Sequence, residues 1–445
     1  MGKPNISEGG RGFQLRYAVV ILCFVGTLLA YMERTGFALV FTVMAKEAGL
    51  ATDVKGGVLS AFYWGYATSQ VPGGWAASRF GGQAVLTGSY LIWSLVTISC
   101  PRTVAGEGAV LHMWLVRVAI GASQGVIFPA IHTVLAQWIP ANEKSRAVSL
   151  TTSGMYLGSS LAMATFPSLI DSYGTKGELL TVGVLGLLWV AAWNGFSPDG
   201  LRARGCAQGM TPSYSQHSSD MDIEARKKDI ACCGSKAGVP WGALMSSAAV
   251  WSIIFSNFTF HYVFYVLNSW LPTYFEQQLG VRLRDNRFAS MLPYLMMFFG
   301  SNVGGVLGDR FIQSGMPVSS ARKALNTVGF LCCALAMVGA PFSRSFIVAA
   351  VCSSIALGFA ALARGGFSIN HMDIAPRHAG VLMGISNTAG TLAGVVGVTV
   401  TGWLLKLGEH SPDGGWIWVF ASPAVLCVLA TTQFALNARG EIIFH

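Results

Sequence analysis

Long apolar stretches recur along this chain, and they limit its possible folds more than any other feature. An α-helix needs about 20 apolar residues to cross the roughly 30 Å hydrocarbon core of a bilayer, where its backbone hydrogen bonds must be satisfied internally. The sequence predicts twelve such helices, six in each half of the chain. They lie near 17–44, 56–77, 84–100, 109–139, 147–170 and 179–196, and near 249–272, 287–308, 324–340, 345–370, 380–406 and 416–437. The predicted fold is therefore an all-α membrane protein.

The composition agrees with a membrane protein and excludes several other classes. Of the 445 residues, 53% are hydrophobic and only 11% are charged, which is too few charges for a soluble domain of this size. The net charge of +9 does not indicate a nucleic-acid partner, because no run of five or more basic residues with interleaved aromatic residues occurs. The nine cysteines show no metal-binding spacing, and no catalytic motif is present. The sequence thus predicts a lipid bilayer as surroundings, with no cofactor, no metal ion and no catalytic residue.

A short motif occurs twice and indicates that the two halves are copies of one another. The first copy, GGWAASRF, begins at Gly73, and the second, GGVLGDRF, begins at Gly304, an offset of 231 residues. An internal repeat of about half the chain is typical of duplicated helix bundles in membrane proteins. We therefore predict an N-terminal six-helix half at 1–196, a polar linker at 197–240 and a C-terminal six-helix half at 241–445.

The distribution of basic residues predicts the orientation in the membrane. Cytosolic loops of membrane proteins are enriched in Lys and Arg. With a cytosolic N terminus, seventeen Lys and Arg residues would lie on the cytosolic side, against nine on the opposite side. We therefore predict that both termini are cytosolic. The first sixteen residues show neither a cleavage site nor the Ser- and Arg-rich pattern of a transit peptide, so a plastid location is not expected.

Four segments resemble the anion:cation symporter family of the major facilitator superfamily. The first, GYATSQVPGGWAASRFGG at 65–82, is similar to the signature of the superfamily. The others are RVAIGASQGVIFPAIHTVLAQWIPANEKSR at 117–146, SGMYLG at 153–158 and NHMDIAPRHAGVLMGISNTAGTLAG at 370–394. This family includes vesicular glutamate transporters, sialin and plant phosphate transporters of family 4. Within the plant branch, NFTFHYVFYVLNSWLPTYF at 257–275 and ALARGGFSINHMDIAPR at 361–377 most resemble the non-plastid, Golgi-type member.

The resemblance implies a major facilitator fold and a secondary active transporter that works by alternating access. The implied substrate is inorganic phosphate or a related small anion, and a proton or a sodium ion is the candidate coupling ion. An organic anion such as glutamate, sialate or a nucleotide is the alternative substrate. A membrane receptor or enzyme is a distant alternative, because the chain is duplicated and lacks a catalytic constellation. The expected location is the Golgi or another endomembrane.

Four ionisable residues are predicted deep within spans, where an unpaired charge is costly and indicates a function. They are Glu33, Arg34, Arg117 and Arg364. A guanidinium group stays charged and presents paired donors that match phosphate or carboxylate oxygens. The resemblance places substrate-binding arginines at Arg34 and Arg117. For Arg34 the alternative is a structural pair with a carbonyl or carboxylate, while Arg364 either joins the site or extends its charged end towards the membrane surface.

Three assignments complete the candidate site. His261 lies near mid-depth of the seventh predicted span, where it either packs among aromatic residues or donates a hydrogen bond to an anion. Gln124, also assigned to the substrate site, follows Arg117 by seven residues, at a position where many relatives carry Glu. Because an amide cannot titrate, coupling is assigned instead to Glu33, the only acid predicted deep within a span. The alternative is that Glu33 neutralises Arg34 or braces another helix.

The two copies of the repeated motif differ at their acidic position. The superfamily signature carries Asp before Arg, but Ser78 precedes Arg79 in the first copy, whereas Asp309 precedes Arg310 in the second. The resemblance implies that this turn gates closure between helices on the cytosolic side. The first copy is therefore predicted to latch more weakly than the second, with Arg79, Asp309 and Arg310 as gating residues.

Further polar residues are assigned to the same gate. Glu143 and Arg146 follow the fourth predicted span and belong to the resembling segment 117–146. Residues 370–373 are predicted to form a turn after the tenth span, because their polarity and the nearby Pro376 suggest that a helix ends there. His132, near the cytosolic end of the fourth span, is assigned a structural role.

Overall fold

The computed structural model describes most of the chain, and its regular elements are helices. The described residues are 6–50, 52–101, 107–140, 142–196, 239–281, 287–343, 345–411 and 413–444. No strand occurs in these ranges, so the all-α prediction is confirmed. Most of the predicted linker, 197–238, lies outside the described residues, and the division into two halves stays a prediction.

The described residues between 6 and 196 form six helices, one of which is interrupted. They are α1 (Ile6–Glu47), α2 (Thr52–Phe80), α3 (Gly82–Ile98), α4 (Glu107–Gly125), α5 (Ile127–Trp138) and α6 (Lys144–Phe196). Gly174 breaks α6 with a φ of 70° and a ψ of 177°, a conformation that favours glycine. The break divides α6 into two helices, each of a length that fits one membrane crossing.

From residue 239 onwards, the described residues form seven helices and two short turns of 3₁₀ helix. They are α7 (Trp241–Ser246), α8 (Ala248–Leu279), α9 (Arg287–Gln313), α10 (Val318–Gly339), α11 (Phe346–Ile374), α12 (Ala379–Leu407) and α13 (Trp416–Asn437), with 3₁₀ turns at Ala340–Phe342 and Pro376–His378. Residues 370–373 belong to the last turns of α11, so the predicted turn at this position was wrong. The helix continues to Ile374 because Pro376 disfavours helical geometry only at the residue directly before it, Ala375.

Nine helical segments of the described part are long and apolar enough to cross a membrane. One of them, Lys144–Gly195, contains the break at Gly174 and is long enough for two crossings. Two other helices correspond to predicted spans: α3 is apolar but has only 17 residues, and α2 has 29 residues but includes several Gly and polar side chains. A multi-pass membrane protein is confirmed, while the count of twelve crossings stays a prediction.

Glycine allows corresponding helices of the two repeats to pack closely. α2 packs against α4, where a Cβ atom at Gly121 would collide with the carbonyl oxygen of Phe62. α9 packs against α11, where a Cβ atom at Gly300 would collide with the carbonyl oxygen of Gly358. In lipid, where no hydrophobic driving force pushes helices together, such close approach is the main source of packing energy. The repeated motif therefore lies on equivalent helix pairs.

The two parts of the bundle meet most closely at one end, which we call the closed end. Here α2 turns into α3 and α9 turns into α10, and α2 contacts α12 while α6 contacts α9. A Cβ atom at Gly74 would collide with the carbonyl oxygen of Gly380, and one at Gly305 would lie 2.8 Å from the carbonyl oxygen of Ser145. The helix backbones are therefore nearly in contact at this end.

The segment after α13 folds back onto the closed end. The backbone N–H groups of Ile443 and Phe444 donate to the carbonyl oxygen of Ile374 at 2.8 and 3.0 Å. The side-chain amide of Asn370 donates to the carbonyl oxygen of Arg439 at 2.7 Å. These bonds satisfy backbone groups at the end of α11.

Candidate functional site

A buried acid on α1 binds two side chains of α4. The Glu33 carboxylate accepts a hydrogen bond from Arg117 Nη1 at 3.3 Å and another from the Gln124 amide at 2.7 Å. Arg117 and Gln124 are two helical turns apart, which places them on one face of α4. Glu33 is 1% exposed and Arg117 is 2% exposed. The structure thus joins three of the predicted site residues in a buried ion pair supported by an amide.

Aromatic rings hold Arg117 in addition to Glu33. Its guanidinium carbon lies 4.0 Å from the centroid of the Phe37 ring and 4.7 Å from that of Phe62. Arg117 Nε has no hydrogen-bond partner among the described residues. In this conformation Arg117 therefore binds Glu33, and it is not free to bind an anion between the two parts of the bundle.

Arg34 follows Glu33 on α1 but lies among aromatic side chains. Four rings have their centroids within 5.4 Å of its guanidinium carbon. They are Tyr31, Phe62, Tyr63 and Tyr66. Nη2 also donates to the hydroxyl of Tyr265 on α8 at 3.5 Å. Arg34 makes no ion pair within the described part, so the alternative of a carboxylate partner finds no support there.

Arg364 of α11 also reaches across the bundle. Its Nη1 donates to the hydroxyl of Tyr156 on α6 at 3.1 Å, and its guanidinium carbon lies 4.9 Å from the centroid of the Phe260 ring. Arg364 is 4% exposed, and it forms no ion pair with the described residues. The side chain therefore points into the bundle, and the alternative of reaching the membrane surface is not what the structure shows.

His261 and Tyr265 on α8 lie between these two arginines. Their rings stack with centroids 6.1 Å apart, and Tyr265 is the hydroxyl that Arg34 contacts. His261 is within electrostatic range of both Arg34 and Arg364. Its Nδ1 lies 2.9 Å from the carbonyl oxygen of Asn257 and must carry the hydrogen there, which leaves Nε2 as an acceptor in the neutral ring. The predicted donation from His261 to an anion thus requires a protonated ring.

A small cavity adjoins Arg34 on the side of α4 and α5. It is lined by Thr27, Ala30, Tyr31, Arg34, Tyr66, Gln124, Ile127 and Phe128. The lining includes the donors of Arg34 and Gln124 and no acid, but the cavity of about 10 Å³ has room for no more than one water molecule in this conformation. No group of three or more metal-binding side chains occurs in the part of the chain that the structure describes.

The acid of the second motif copy joins α9 to α6 at the closed end. Asp309 Oδ1 accepts from the backbone N–H of Ser145 at 3.0 Å, and Oδ2 accepts from the backbone N–H and Nε of Arg146 at 3.0 and 2.9 Å. Ser145 and Arg146 lie in the first turn of α6, whose N–H groups have no partner within the helix and favour a negative charge. The structure brings Asp309 and Arg146 together, and their role in gating stays a proposal.

A second ion pair, which the sequence analysis missed, supports this contact. Arg322 of α10 donates from Nε to Asp373 Oδ2 at 2.8 Å and from Nη1 to Ser145 Oγ at 2.6 Å. Arg322 is completely buried. The only signal in the sequence was a basic residue beside a predicted span. We call Asp309, Arg146, Ser145, Arg322 and Asp373 together the charged clasp.

The other predicted gating residues make no such contact in this conformation. Arg79 is exposed and stacks on Trp75 of its own helix at 5.5 Å. Arg310 is exposed. Glu143 pairs with Arg16 at 3.6 Å, and both belong to the first part of the chain. The assignment of these three residues to the gate stays a prediction.

His132 packs against a second histidine across the closed end. Its ring centroid lies 5.6 Å from that of His371, and His132 is 1% exposed. His371 is fixed by Ser386 Oγ at 2.8 Å and by the carbonyl oxygen of Ser368 at 2.7 Å. This packing agrees with the structural role assigned to His132.

The structure also buries Glu178, an acid to which the sequence analysis assigned no role. Glu178 lies in the second helix of α6 and is 1% exposed. The sixth predicted span begins at residue 179, directly after Glu178. The signal that could have found Glu178 is its position directly before an apolar run.

Comparison with known proteins identifies the family. A sequence profile described as the Major Facilitator Superfamily matches residues 23–398. "Probable anion transporter 6" from Oryza sativa subsp. japonica is 44% identical over 439 residues, which cover 97% of this chain and 100% of that protein. Two chloroplastic proteins of Arabidopsis thaliana are each 33% identical to this chain. They are the "Ascorbate transporter", with coverage of 99% of this chain and 78% of that protein, and "Sodium-dependent phosphate transport protein 1", with 97% and 80%.

A solved structure supports the fold. The proton:xylose symporter XylE, bound to 6-bromo-6-deoxy-D-glucose, matches with a TM-score of 0.73 over 97% of this chain and 98% of that one. Its sequence identity of 16% limits the comparison to the fold. The relatives align over nearly the whole length of this chain, and they are named as transporters. This excludes the alternatives of a receptor or an enzyme. From its sequence profile, its relatives and its fold, the chain belongs to the major facilitator superfamily.

Proposed function

We propose that this chain is a secondary active transporter that moves inorganic phosphate or a related small anion by alternating access. One observation carries the proposal. Arg34 contacts Tyr265 and Arg364 packs on Phe260, both on α8 near His261, and neither arginine makes an ion pair with the described residues. The names of the relatives, an anion transporter and a phosphate transport protein among them, support the same substrate class.

An anion would supply the counter-charge that these two guanidinium groups lack. A charged side chain inside a membrane is costly unless it has a partner or faces water. Glu33 neutralises Arg117, so Arg34 and Arg364 leave a positive excess around His261. Their forked donors suit the oxygens of phosphate. Because Arg34 is on α1 and Arg364 is on α11, a bound anion would contact both parts of the bundle and link their movements.

We assign coupling to Glu33 and a proton. Protonation of Glu33 would remove the negative charge that holds Arg117, and a guanidinium without its partner would then be available to the anion. A sodium ion is the alternative, which the name of one relative as sodium-dependent supports. In this scheme symport requires Glu33, whereas exchange of anion for anion does not.

Alternating access also requires the closed end to open. The charged clasp and the close contact of α2 with α12 must both separate before the site can face that side. We propose that the closed end is cytosolic and that both termini lie on that side. With this orientation, more Lys and Arg residues lie on the cytosolic side than on the opposite side. The Golgi or another endomembrane is the proposed location, in agreement with a relative at 44% identity whose name carries no plastid label.

A second candidate substrate is an organic anion. The cavity beside Arg34 includes the rings of Tyr31, Tyr66 and Phe128, which could pack against a carbon skeleton. One relative is named an ascorbate transporter. Glutamate, sialate and nucleotides belong to the same alternative class.

Counterflow in proteoliposomes tests the proposal. Purified protein would be reconstituted with unlabelled phosphate inside, and uptake of labelled phosphate would be measured against competing phosphate, glutamate, ascorbate, sialate and nucleotide. We expect phosphate to compete best. If an organic anion competed best, the result would support the second candidate substrate instead of phosphate. Absence of counterflow with every anion would contradict the proposal.

Substitution of the arginines connects the assay to the site. We expect Arg34→Ala and Arg117→Ala each to abolish uptake with normal expression, and Arg→Lys to rescue poorly because a single ammonium group does not reproduce two parallel donors. Arg364→Gln should weaken binding more from the closed end than from the other side. Arg377→Ala, at an exposed position, is the matched control. Near-normal uptake by Arg117→Ala would remove Arg117 from the site.

Glu33→Gln tests the coupling. The amide keeps the shape of the side chain but cannot titrate, so counterflow should continue while uptake driven by a pH gradient should stop. Wild-type uptake that ignores both pH and sodium gradients would make the protein an exchanger and would leave Glu33 without this role.

A further inference from the structure

Glu178 is a buried acid that forms no ion pair with the residues that the structure describes. It lies in the second helix of α6, four residues after the break at Gly174, at the end of the bundle opposite the closed end. Its Oε2 has no hydrogen-bond partner, and Glu178 forms no ion pair with any described residue. An ionised carboxylate in such surroundings would lose its hydration without compensation. A carboxylic acid that keeps its proton avoids this cost.

A glycine on α1 makes room for this carboxyl group. A Cβ atom at Gly36 would collide with Glu178 Oε1 and with the ring of Phe166. The Glu178 carboxyl group therefore rests directly on the α1 backbone. Gly36 follows Glu33 by three residues, about one helical turn, so the carboxyl group approaches α1 beside the coupling acid.

Few of the described residues bring a charged group near Glu178. On α1 it faces Glu33, and the two carboxyl groups are within electrostatic range of each other. Cys100, which follows α3, is in range of Glu178, Glu33 and Arg117. From the first helix of α6 it meets Phe166, which has no charge. Lys176, two residues before it, is exposed. Glu33 is thus the acid that can exchange a proton with Glu178.

We propose that Glu178 is a second proton-carrying residue of the coupling site and that it passes its proton to Glu33. This inference rests on the proposed proton coupling. In the step, the O–H bond of the Glu178 acid breaks and an O–H bond forms on the Glu33 carboxylate, so one proton moves and the total charge of the pair is unchanged. Glu178 becomes the anion, Glu33 becomes neutral, and Arg117 loses its ionic partner. Glu178 then takes up a new proton from the side opposite the closed end.

This arrangement explains why a buried acid is placed at that depth. Glu33 is enclosed by Arg117 and Gln124 and is 1% exposed, so it has no direct contact with solvent in this conformation. Glu178 lies one turn from the break in α6, nearer to the membrane surface on that side. A proton that enters there reaches Glu33 without passing the charged clasp.

Infrared spectroscopy tests the proton on Glu178 independently of transport. The purified protein in lipid nanodiscs at neutral pH should show the carbonyl-stretch band of a protonated carboxylic acid, which shifts in deuterated water. We expect Glu178→Gln to remove this band, while Glu33→Gln and the exposed control Glu409→Gln keep it. A wild-type spectrum without the band, or a band that persists in Glu178→Gln, would overturn the inference.

Transport measurements then separate this inference from the proposed function. Glu178→Gln should reduce uptake driven by a pH gradient by about tenfold or more and leave phosphate counterflow within about twofold of wild type. Wild-type behaviour of Glu178→Gln together with a loss of pH-driven uptake in Glu33→Gln would refute the role of Glu178 and keep the proposed coupling. Wild-type protein that exchanges phosphate but ignores a pH gradient would refute the coupling and this inference together.

Discussion

The two contacts that close one end of the bundle are built from different interactions. The charged clasp joins α9 to α6 through Asp309, which binds the first turn of α6 and Arg146. The second contact, which we call the neutral crossing, joins α2 to α12. There Gly74 packs on Gly380, and the Gln70 amide donates to Thr391 Oγ1 at 3.1 Å.

The difference arises at one position of the repeated motif. Ser78 occupies the place that Asp309 has in the second copy, and its hydroxyl donates to the carbonyl oxygen of Trp75 in its own helix at 2.8 Å. A charged hydrogen bond contributes about 1.5–3 kcal/mol, whereas a close glycine contact contributes about 0.5–1 kcal/mol through weak hydrogen bonds. We therefore expect the neutral crossing to separate more easily than the charged clasp. The two copies of the motif are thus expected to contribute unequally to the stability of the closed end.

The largest effect is expected from Asp309→Ala. It removes three hydrogen bonds to a buried carboxylate, each of which contributes about 1.5–3 kcal/mol, so the closed state should be strongly destabilised and uptake should fall by about 100-fold or more. Position 149 is buried on α6 beside Gly305. A thiol reagent should label the cysteine of Ser149→Cys faster when Asp309→Ala is also present. Labelling at the rate of the Ser149→Cys variant with Asp309 intact would contradict a clasp function.

A moderate effect is expected from Gly384→Val in the neutral crossing. The added side chain collides with the carbonyl group of Gln70 on α2, and overpacking of this kind typically costs about 1–3 kcal/mol. Uptake should fall by about tenfold, and the thermal unfolding temperature should decrease. Gly88→Val, where no atom lies within 4 Å of the added Cβ, is the matched control. Equal behaviour of the two variants would show that the neutral crossing does not depend on close packing.

Ser78→Asp should make the two contacts more alike, with a smaller effect. An acid near the start of α12 would gain about 0.3–1 kcal/mol from the N-terminal helix dipole, so the closed state should be favoured and turnover should slow by about twofold to fivefold. Counterflow rate and thermal stability would be measured together. Ser99→Asp, on the exposed end of α3, is the control. An unchanged rate with unchanged stability would mean that Asp at 78 does not reach α12.

The smallest effect is expected from Arg79→Ala. Arg79 is exposed and contacts only rings of its own helix, Trp75 and Phe80, so its loss should change uptake by less than about twofold. Arg146→Ala, which breaks the ion pair with Asp309, should be markedly more damaging. A similar loss of uptake in both variants would support the assignment of Arg79 to the gate.

The sequence predicted the features that depend on local pattern. Apolar runs of membrane length correspond to the observed helices, and the duplicated motif lies on equivalent helix pairs, because both signals are carried by neighbouring residues. The replacement of Asp by Ser78 predicts unequal latches, which stays a prediction. Ser78 Oγ donates to the carbonyl oxygen of Trp75 within its own helix.

The pairing of distant charges could not be predicted. Glu33 and Arg117 are 84 residues apart, and Arg322 and Asp373 are 51 residues apart, so only the packed helices decide which partners meet. The sequence analysis left open whether Glu33 pairs with Arg34 or with another helix, and the structure shows Arg117 and Gln124. Glu178 was missed because the sixth span was predicted to begin at residue 179, whereas the helix resumes directly after Gly174.

The exposure of Arg146 gives the charged clasp a sensitivity that the neutral crossing lacks. The Arg146 side chain is 50% exposed, whereas its partner Asp309 is 1% exposed. Dissolved ions screen charges that are accessible to solvent over about 8 Å at physiological ionic strength, but they do not weaken a contact between two glycine backbones. A rise in salt on that side of the membrane would therefore loosen one contact and leave the other unchanged. The ionic strength of the compartment thus acts on the balance between the two contacts without binding to any site.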